Sequence, residues 1–205
     1  MEDNRVETNQ VYLSGKIISG FHAFFGHYNS RYYMADVEVR RLSGQADCIP
    51  LVLHERMIDT AYDYKGKYVS VTGQFNSYNF NENGRRRLKL YVMAGKIELG
   101  NTEDRKFDDN YIFLDGRICK KPIYRKTPLG RSITDLFLAV NSSYMKSYYI
   151  PCICWGKTAY SAASLLVGML VGIVGRIQSR EYDKQLDAFT VEKRIAYEVS
   201  VKNLA

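Results

Sequence analysis

The chain of 205 residues repeats itself once. Residues 11–17 (VYLSGKI) resemble 112–118 (IFLDGRI), and 68–75 (YVSVTGQF) resemble 170–177 (LVGIVGRI). The offsets agree: Gly15 and Gly116 stand 101 residues apart, Pro50 and Pro151 also 101, and Gly73 and Gly175 102. A period near 100 is a domain duplication, because solenoid and propeller repeats run at roughly 20 to 50 residues. The chain is therefore expected to fold as two related units, 1–103 and 104–205, joined in the polar run 100–109 (GNTEDRKFDD).

Within each unit the hydrophobic pattern is mostly that of strands. The first unit offers candidates at 11–18, 32–41, 48–54, 68–76 and 88–99, with a short helix or turn after His54. The second offers 111–119, 133–140, 148–155, 169–178 and 188–201, with a helix near 157–166. Five strands with a short helix between the third and fourth, in about 100 residues, suit the OB-fold, a five-stranded Greek-key barrel. The expected fold class is all-β, two such barrels in tandem. Pro50 and Pro151 fall inside the third strands, where proline costs a ladder hydrogen bond, so an edge or bulge is expected there. The apolar stretch 159–174 is too short, and too interrupted by Tyr160, Ser161 and Ser164, for the roughly 20 residues of a membrane span. It is read as a buried helix running into a buried strand.

Composition narrows the partner. The net charge is +7 and 17 residues are tyrosine, which makes a polyanion a candidate. The excess is uneven: residues 1–105 carry 14 Lys and Arg against 13 Asp and Glu (+1), residues 106–205 carry 15 against 9 (+6). Lys120, Lys121, Arg125, Lys126 and Arg131 crowd the segment between the first two strands of the second unit, and Arg176, Arg180 and Lys184 mark its fourth strand and following hairpin. A charge run is ordinarily a solvated face. On the strand 148–155 (YYIPCICW), however, period two puts Tyr149, Pro151, Ile153 and Trp155 on one face and the compact Ile150, Cys152 and Cys154 on the other. Large rings on a sheet are commonly core; here the opposite face already supplies one, and rings flanked by cations make a stacking floor beside a phosphate path. Residues 1–10 lack the basic start and apolar core of a secretory signal, so a cytoplasmic protein is expected. Cys48, Cys119, Cys152 and Cys154 form no C-x-x-C pair and, with three histidines, spell no zinc site; buried reduced thiols are expected, with no metal and no cofactor.

Residues 110–204 resemble a bacterial single-stranded DNA-binding protein (SSB) domain through the order and spacing of 112–118 (IFLDGRI), 136–141 (LFLAVN), 149–157 (YIPCICWGK), a helix, and 174–180 (VGRIQSR). The resemblance implies base stacking on Tyr144, Tyr149, Trp155 and Tyr182, with Lys157, Arg176 and Arg180 near the phosphate path. The first unit is more weakly similar. Gln45, Cys48 and His54 stand where the second unit has Tyr144, Tyr149 and Trp155, and Phe80 alone keeps an aromatic, opposite Tyr182. Its hairpin 84–87 (GRRR), with Arg85 and Arg86, is a solvated turn or a phosphate contact. The family's flexible, acidic-tipped tail has no counterpart in 201–205 (VKNLA), so recruitment of partners through such a tip is not expected.

The expectation is a non-catalytic, largely sequence-independent binder of single-stranded DNA. Phosphates would be met by Arg125, Arg131 and the cations already named, with the second unit as main binder and the first as auxiliary. The family's four-barrel assemblies imply a homodimer. The rival readings are a protein-interaction module of a primosome or mobile-element replication complex, and binding of RNA, whose bases stack equally well. An enzyme is disfavoured, since the chain carries no G-x-x-x-x-G-K-[ST] loop and no nucleophile with a His and an acid at a familiar spacing.

Overall fold

The repeated glycines are where the backbone must bend. The computed structural model describes residues 8–24, 31–59, 61–82, 84–100, 108–142, 146–185 and 190–205, and at residue 85 the backbone alone. The first unit comprises β1 (Asn9–Ile17), β2 (His22–Phe24), β3 (Tyr32–Arg40), β4 (Ala46–His54), a 3-10 turn at Glu55–Met57, β5 (Tyr68–Glu82) and β6 (Arg85–Gly100). The second comprises β7 (Asn110–Ile118), β8 (Ile123–Lys126), β9 (Ser132–Asn141), β10 (Ser147–Trp155), the helix α1 (Gly156–Ala163), β11 (Leu170–Gln185) and β12 (Val191–Leu204).

Each unit closes on itself as a five-stranded barrel. β1 pairs with both β5 and β3, and β4 meets β6 in parallel at Leu51 and Val52, giving the Greek-key circuit expected of an OB-fold. β7, β11, β12, β10 and β9 repeat the circuit, closed by β7 with β9 and by β10 parallel to β12. β2 and β8, short additions on the outer edges of β3 and β9, lay below the reach of the strand pattern. A Cβ on Gly73 would stand 2.1 Å from the Met93 carbonyl oxygen, and one on Gly175 2.3 Å from that of Ser200. At both points the ladder slips by one residue, so these glycines turn the barrel corners.

Side chains alternate as the pattern required. In β9, Thr134, Leu136, Leu138 and Val140 are buried while Asp135, Phe137 and Ala139 face outward. In β10, Ile150, Cys152 and Cys154 fill the interior. All four cysteines are free; Cys48 and Cys119 are only half-buried, which corrects the expectation of four buried thiols. Pro50 and Pro151 are accommodated because β4 gains its second neighbour only at Leu51 and Val52, and β10 only from Cys152 to Cys154.

Two further expectations change. The helix between the third and fourth barrel strands is α1 in the second unit, but in the first it shrinks to the single 3-10 turn, and the loop sends Tyr64 into the core instead, edge-on to Phe21 at 5.8 Å. The stretch 159–174 is not buried throughout: α1 inserts only Ala159 and Ala162, and Leu166, Val167, Met169 and Leu170 are exposed. The reason is that 164–169 form a turn, with Gly168 at φ +92°, rather than a continuation of the helix. Among the described residues no helix is long and apolar enough to cross a membrane, and no group of three or more His, Cys, Asp or Glu could hold a metal ion.

The barrels are fused along one ladder. β1 runs antiparallel to β7 with Val11 opposite Ile112, residues that are each other's equivalents in the repeat. The pairing thus sits on a local two-fold axis and joins both barrels into one 12-stranded sheet. Of the expected joint at 100–109, residues 101–107 lie outside the described residues, and beyond them the Asp108 N–H donates to the Arg40 carbonyl at 3.0 Å.

Gly175→Ala should cost about 1–3 kcal/mol of unfolding free energy, because the new methyl meets a backbone oxygen that cannot move without breaking the corner. Urea denaturation of the variant beside the wild type measures it.

Candidate nucleic-acid interface

The outward face of the second barrel carries the aromatic side chains. Tyr149 (39% exposed) and Trp155 (38%) lie near the two ends of β10, and Tyr182 (37%) projects from the long β11–β12 hairpin. Phe137 of β9 stacks nearly parallel to Tyr149, ring centroids 6.2 Å apart, and the Lys120 ammonium sits 4.5 Å from the Phe137 centroid. Arg180 lies 5.8 Å from the Tyr182 centroid. Phe137 was missed by the sequence reading; its period-two position in β9, opposite Leu136 and Leu138, is the signal that could have found it.

Trp155 opens onto a groove of about 870 Å³ that lies between the two units. The second barrel lines it with Arg131, Arg176 and Arg180, and the first with Arg41, Gln45 and Cys48. Beneath the groove is Asp47, fully buried at the start of β4. Its carboxylate accepts from Arg41 Nε at 2.6 Å and from Arg41 Nη2, from Arg176 Nη1 at 3.3 Å, and from the Ser179 backbone N–H at 2.7 Å. Two guanidiniums share one carboxylate. Hydrogen bonding to Asp47 raises the Arg41 pKa, whereas burial, followed by repulsion from Arg41, lowers that of Arg176. The two-fold relation shows again around it: the Cys48 N–H donates to Ser179 Oγ at 2.9 Å, and the equivalent Tyr149 N–H to Ser77 Oγ at 2.7 Å.

The remaining expected residues scatter. Arg125 is engaged by both oxygens of Asp135, at 2.8 and 3.2 Å. Lys157 is exposed in the first turn of α1. Phe80 and Arg86 belong to the other unit's β5–β6 hairpin, Arg86 exposed and Phe80 tilted against Tyr78 at 5.7 Å. Tyr144 and the side chain of Arg85 lie outside the described residues.

The same face of the first barrel has a different chemistry. Arg125, Asp135, Arg180 and Glu198 of the second unit have as counterparts Phe24, Met34, Tyr78 and Tyr91, by the repeat offset and by the pairings of Gly73 with Ala94 and Gly175 with Val201. Met34, Val52 and Tyr91 form a second apolar cluster there, covered by Phe24, Tyr32, Tyr78 and Met93. Phe24 lies 5.2 Å from Tyr91 and 5.7 Å from Tyr78, and burial pushes the Tyr91 hydroxyl up to about 12. His54, in place of Trp155, is turned to its own backbone, its Nδ1 accepting from the Arg56 N–H at 3.1 Å, and meets Tyr32 edge-on. On this face the aromatics of the first barrel pack on one another.

Residues 109–205 match the Single-strand binding protein family. The chain is 37% identical over 83 residues to single-stranded DNA-binding protein B of Bacillus subtilis, covering 37% of this chain and 74% of that relative. The chain belongs to the single-strand binding protein family. It is 40% identical over 81 residues to the single-stranded DNA-binding protein of Clostridium tetani, where the match spans 56% of the relative, and 37% identical over 81 residues to protein 2 of Listeria innocua, where it spans 51%. In fold it is similar to the wild-type single-stranded DNA binding protein of Thermus aquaticus, with a TM-score of 0.75 at 20% identity over 96% of this chain and 91% of the other. That likeness extends over both units of this family member.

Asp47→Ala would leave Arg41 and Arg176 facing each other and the Ser179 N–H without its acceptor. A loss of about 2 kcal/mol in urea unfolding is expected, less than for a fully buried pair because both guanidiniums reach solvent.

Proposed function

We propose that the chain binds single-stranded DNA with little sequence preference, without catalysing a reaction on it. Residues 104–205 are read as the main binder and 1–103 as an auxiliary barrel. The observation that carries the reading is the second barrel's outer face, where exposed rings at Tyr149, Trp155 and Tyr182 sit beside Lys120, Arg131, Arg176 and Arg180. Bases stack on aromatic faces whatever their sequence, and the guanidiniums neutralise the backbone between them. The family's relatives are named for the same activity. The first barrel is the weaker surface because its aromatics pack on one another. The role implies a setting in the cytoplasm, at the nucleoid, in replication, recombination or repair.

Stacking contributes roughly 1–3 kcal/mol per base, so Trp155→Ala should weaken oligo-dT binding about tenfold or more, and log affinity should fall by about 0.7 per neutralised phosphate for each unit of log salt. Fluorescence anisotropy of a labelled oligo-dT reads both, since the variant lacks the chain's single tryptophan; a folded variant with wild-type affinity, or a flat salt response, contradicts the proposal. The four-barrel assemblies that the resemblance implies make a two-barrel chain a homodimer. Light scattering at micromolar concentration should give twice the 23.6 kDa of the chain, and a stable monomer overturns that reading.

A further inference from the structure

We propose that the first barrel takes part in binding by lending Arg41 to the second barrel's groove, so that Arg41, Arg131, Arg176 and Arg180 together form a phosphodiester site at the junction of the two units, beside Trp155. The inference rests on the reading of the chain as a binder of single-stranded DNA and names a contact from the unit whose own face looks unsuited to it.

Three observations converge. First, the groove is shared: Arg41 and Gln45, from the β3–β4 hairpin of the first unit, line it together with Trp155, Arg131, Arg176 and Arg180 of the second. Second, its cations are underpaired. Four arginines line the groove against one acid, Glu181, and the carboxylate beneath, Asp47, is divided between Arg41 and Arg176. Arg180 approaches Glu198 only to 4.0 Å, and Glu198 already accepts from Gln178 Nε2 at 2.7 Å. Two guanidiniums held by one carboxylate keep one positive charge in excess, and a phosphate above them supplies the missing anion through charge-assisted hydrogen bonds from the N–H groups that Asp47 leaves free. Third, the arms are held in place before any ligand arrives. The two Arg41–Asp47 bonds and the Ser179 N–H fix Arg41 and Asp47 to β11, so that ordering a long side chain costs little at the moment of binding. A strand stacked on Trp155 would thus pass its backbone across the seam and onto the first barrel's hairpin, without using that barrel's occupied outer face.

The test is Trp155 fluorescence titrated with oligo-dT over a salt series, on Arg41→Gln and on Gln45→Glu. Arg41→Gln should raise the dissociation constant about fivefold at low salt and make the log–log salt slope shallower by about 0.7, one phosphate contact, while the maximal quench stays that of the wild type. Gln45→Glu is an exposed hairpin substitution that places a carboxylate 3.2 Å from Arg41, where it competes with phosphate; it should weaken binding several-fold at low salt and converge on the wild type at high salt. Lys65→Gln, the same loss of charge outside the groove, should leave the slope unchanged. If both groove variants bind with wild-type affinity and slope, the junction site is wrong while the proposed function stands. If Arg41→Gln fails to fold, Gln45→Glu decides alone. If the wild type itself does not bind oligo-dT, it is the proposed function that falls.

Discussion

The structure depends on the antiparallel pairing of β1 with β7. Because that ladder places Val11 opposite its own equivalent, Ile112, the two barrels meet as the halves of a two-fold dimer would, with the same patch used twice. Every contact across the seam follows from this register. The start of β4 is carried onto β11, where Asp47 meets Arg176 and Ser179, and β10 is carried onto β5, where Tyr149 meets Ser77. A shift of one residue in the β1–β7 ladder would turn Val11 and Leu13, both buried, toward solvent and displace both sets of contacts.

Duplication let the two copies diverge on a common frame. The frame is kept by the glycine corners, Gly73 and Gly175, where a side chain would collide with backbone, and by the matched clasps in which Asn9 brackets Phe75 and Asn110 brackets Ile177 with hydrogen bonds of 2.8–2.9 Å. The outer face, free of such constraints, went two ways. In the second barrel it carries ion pairs such as Arg125 with Asp135, between which rings stay exposed. In the first, Phe24, Met34, Tyr78 and Tyr91 take those places and pack together, since apolar groups that touch on a sheet cover one another from water.

Much of this was legible beforehand. The all-β class, the duplication and the outward direction of Tyr149 and Trp155 follow from period-two alternation and from landmarks recurring 101 or 102 residues apart. The exposed turn at 164–169 was not, because an apolar run reads the same whether its residues point inward or line a surface. Nor was the loss of the first unit's helix, since Tyr64 fills the core from a loop that has no periodicity to read. The cluster of Phe24, Tyr78 and Tyr91 was not legible either, because their counterparts in the second unit, Arg125, Arg180 and Glu198, are charged and the repeat therefore carries no signal for rings there.

By itself the sequence determined two barrels of one kind, a basic second half and a set of rings on one strand face, because each is encoded by spacing within a short segment. Only the tertiary structure decided that Asp47 lies under a groove, that Arg41 of the first unit shares it with Arg176 of the second, and that Trp155 opens onto both. Those residues are separated by 108 positions or more between the units, and no local pattern carries that distance. They meet because a ladder of backbone hydrogen bonds between two copies of the same strand brings them together.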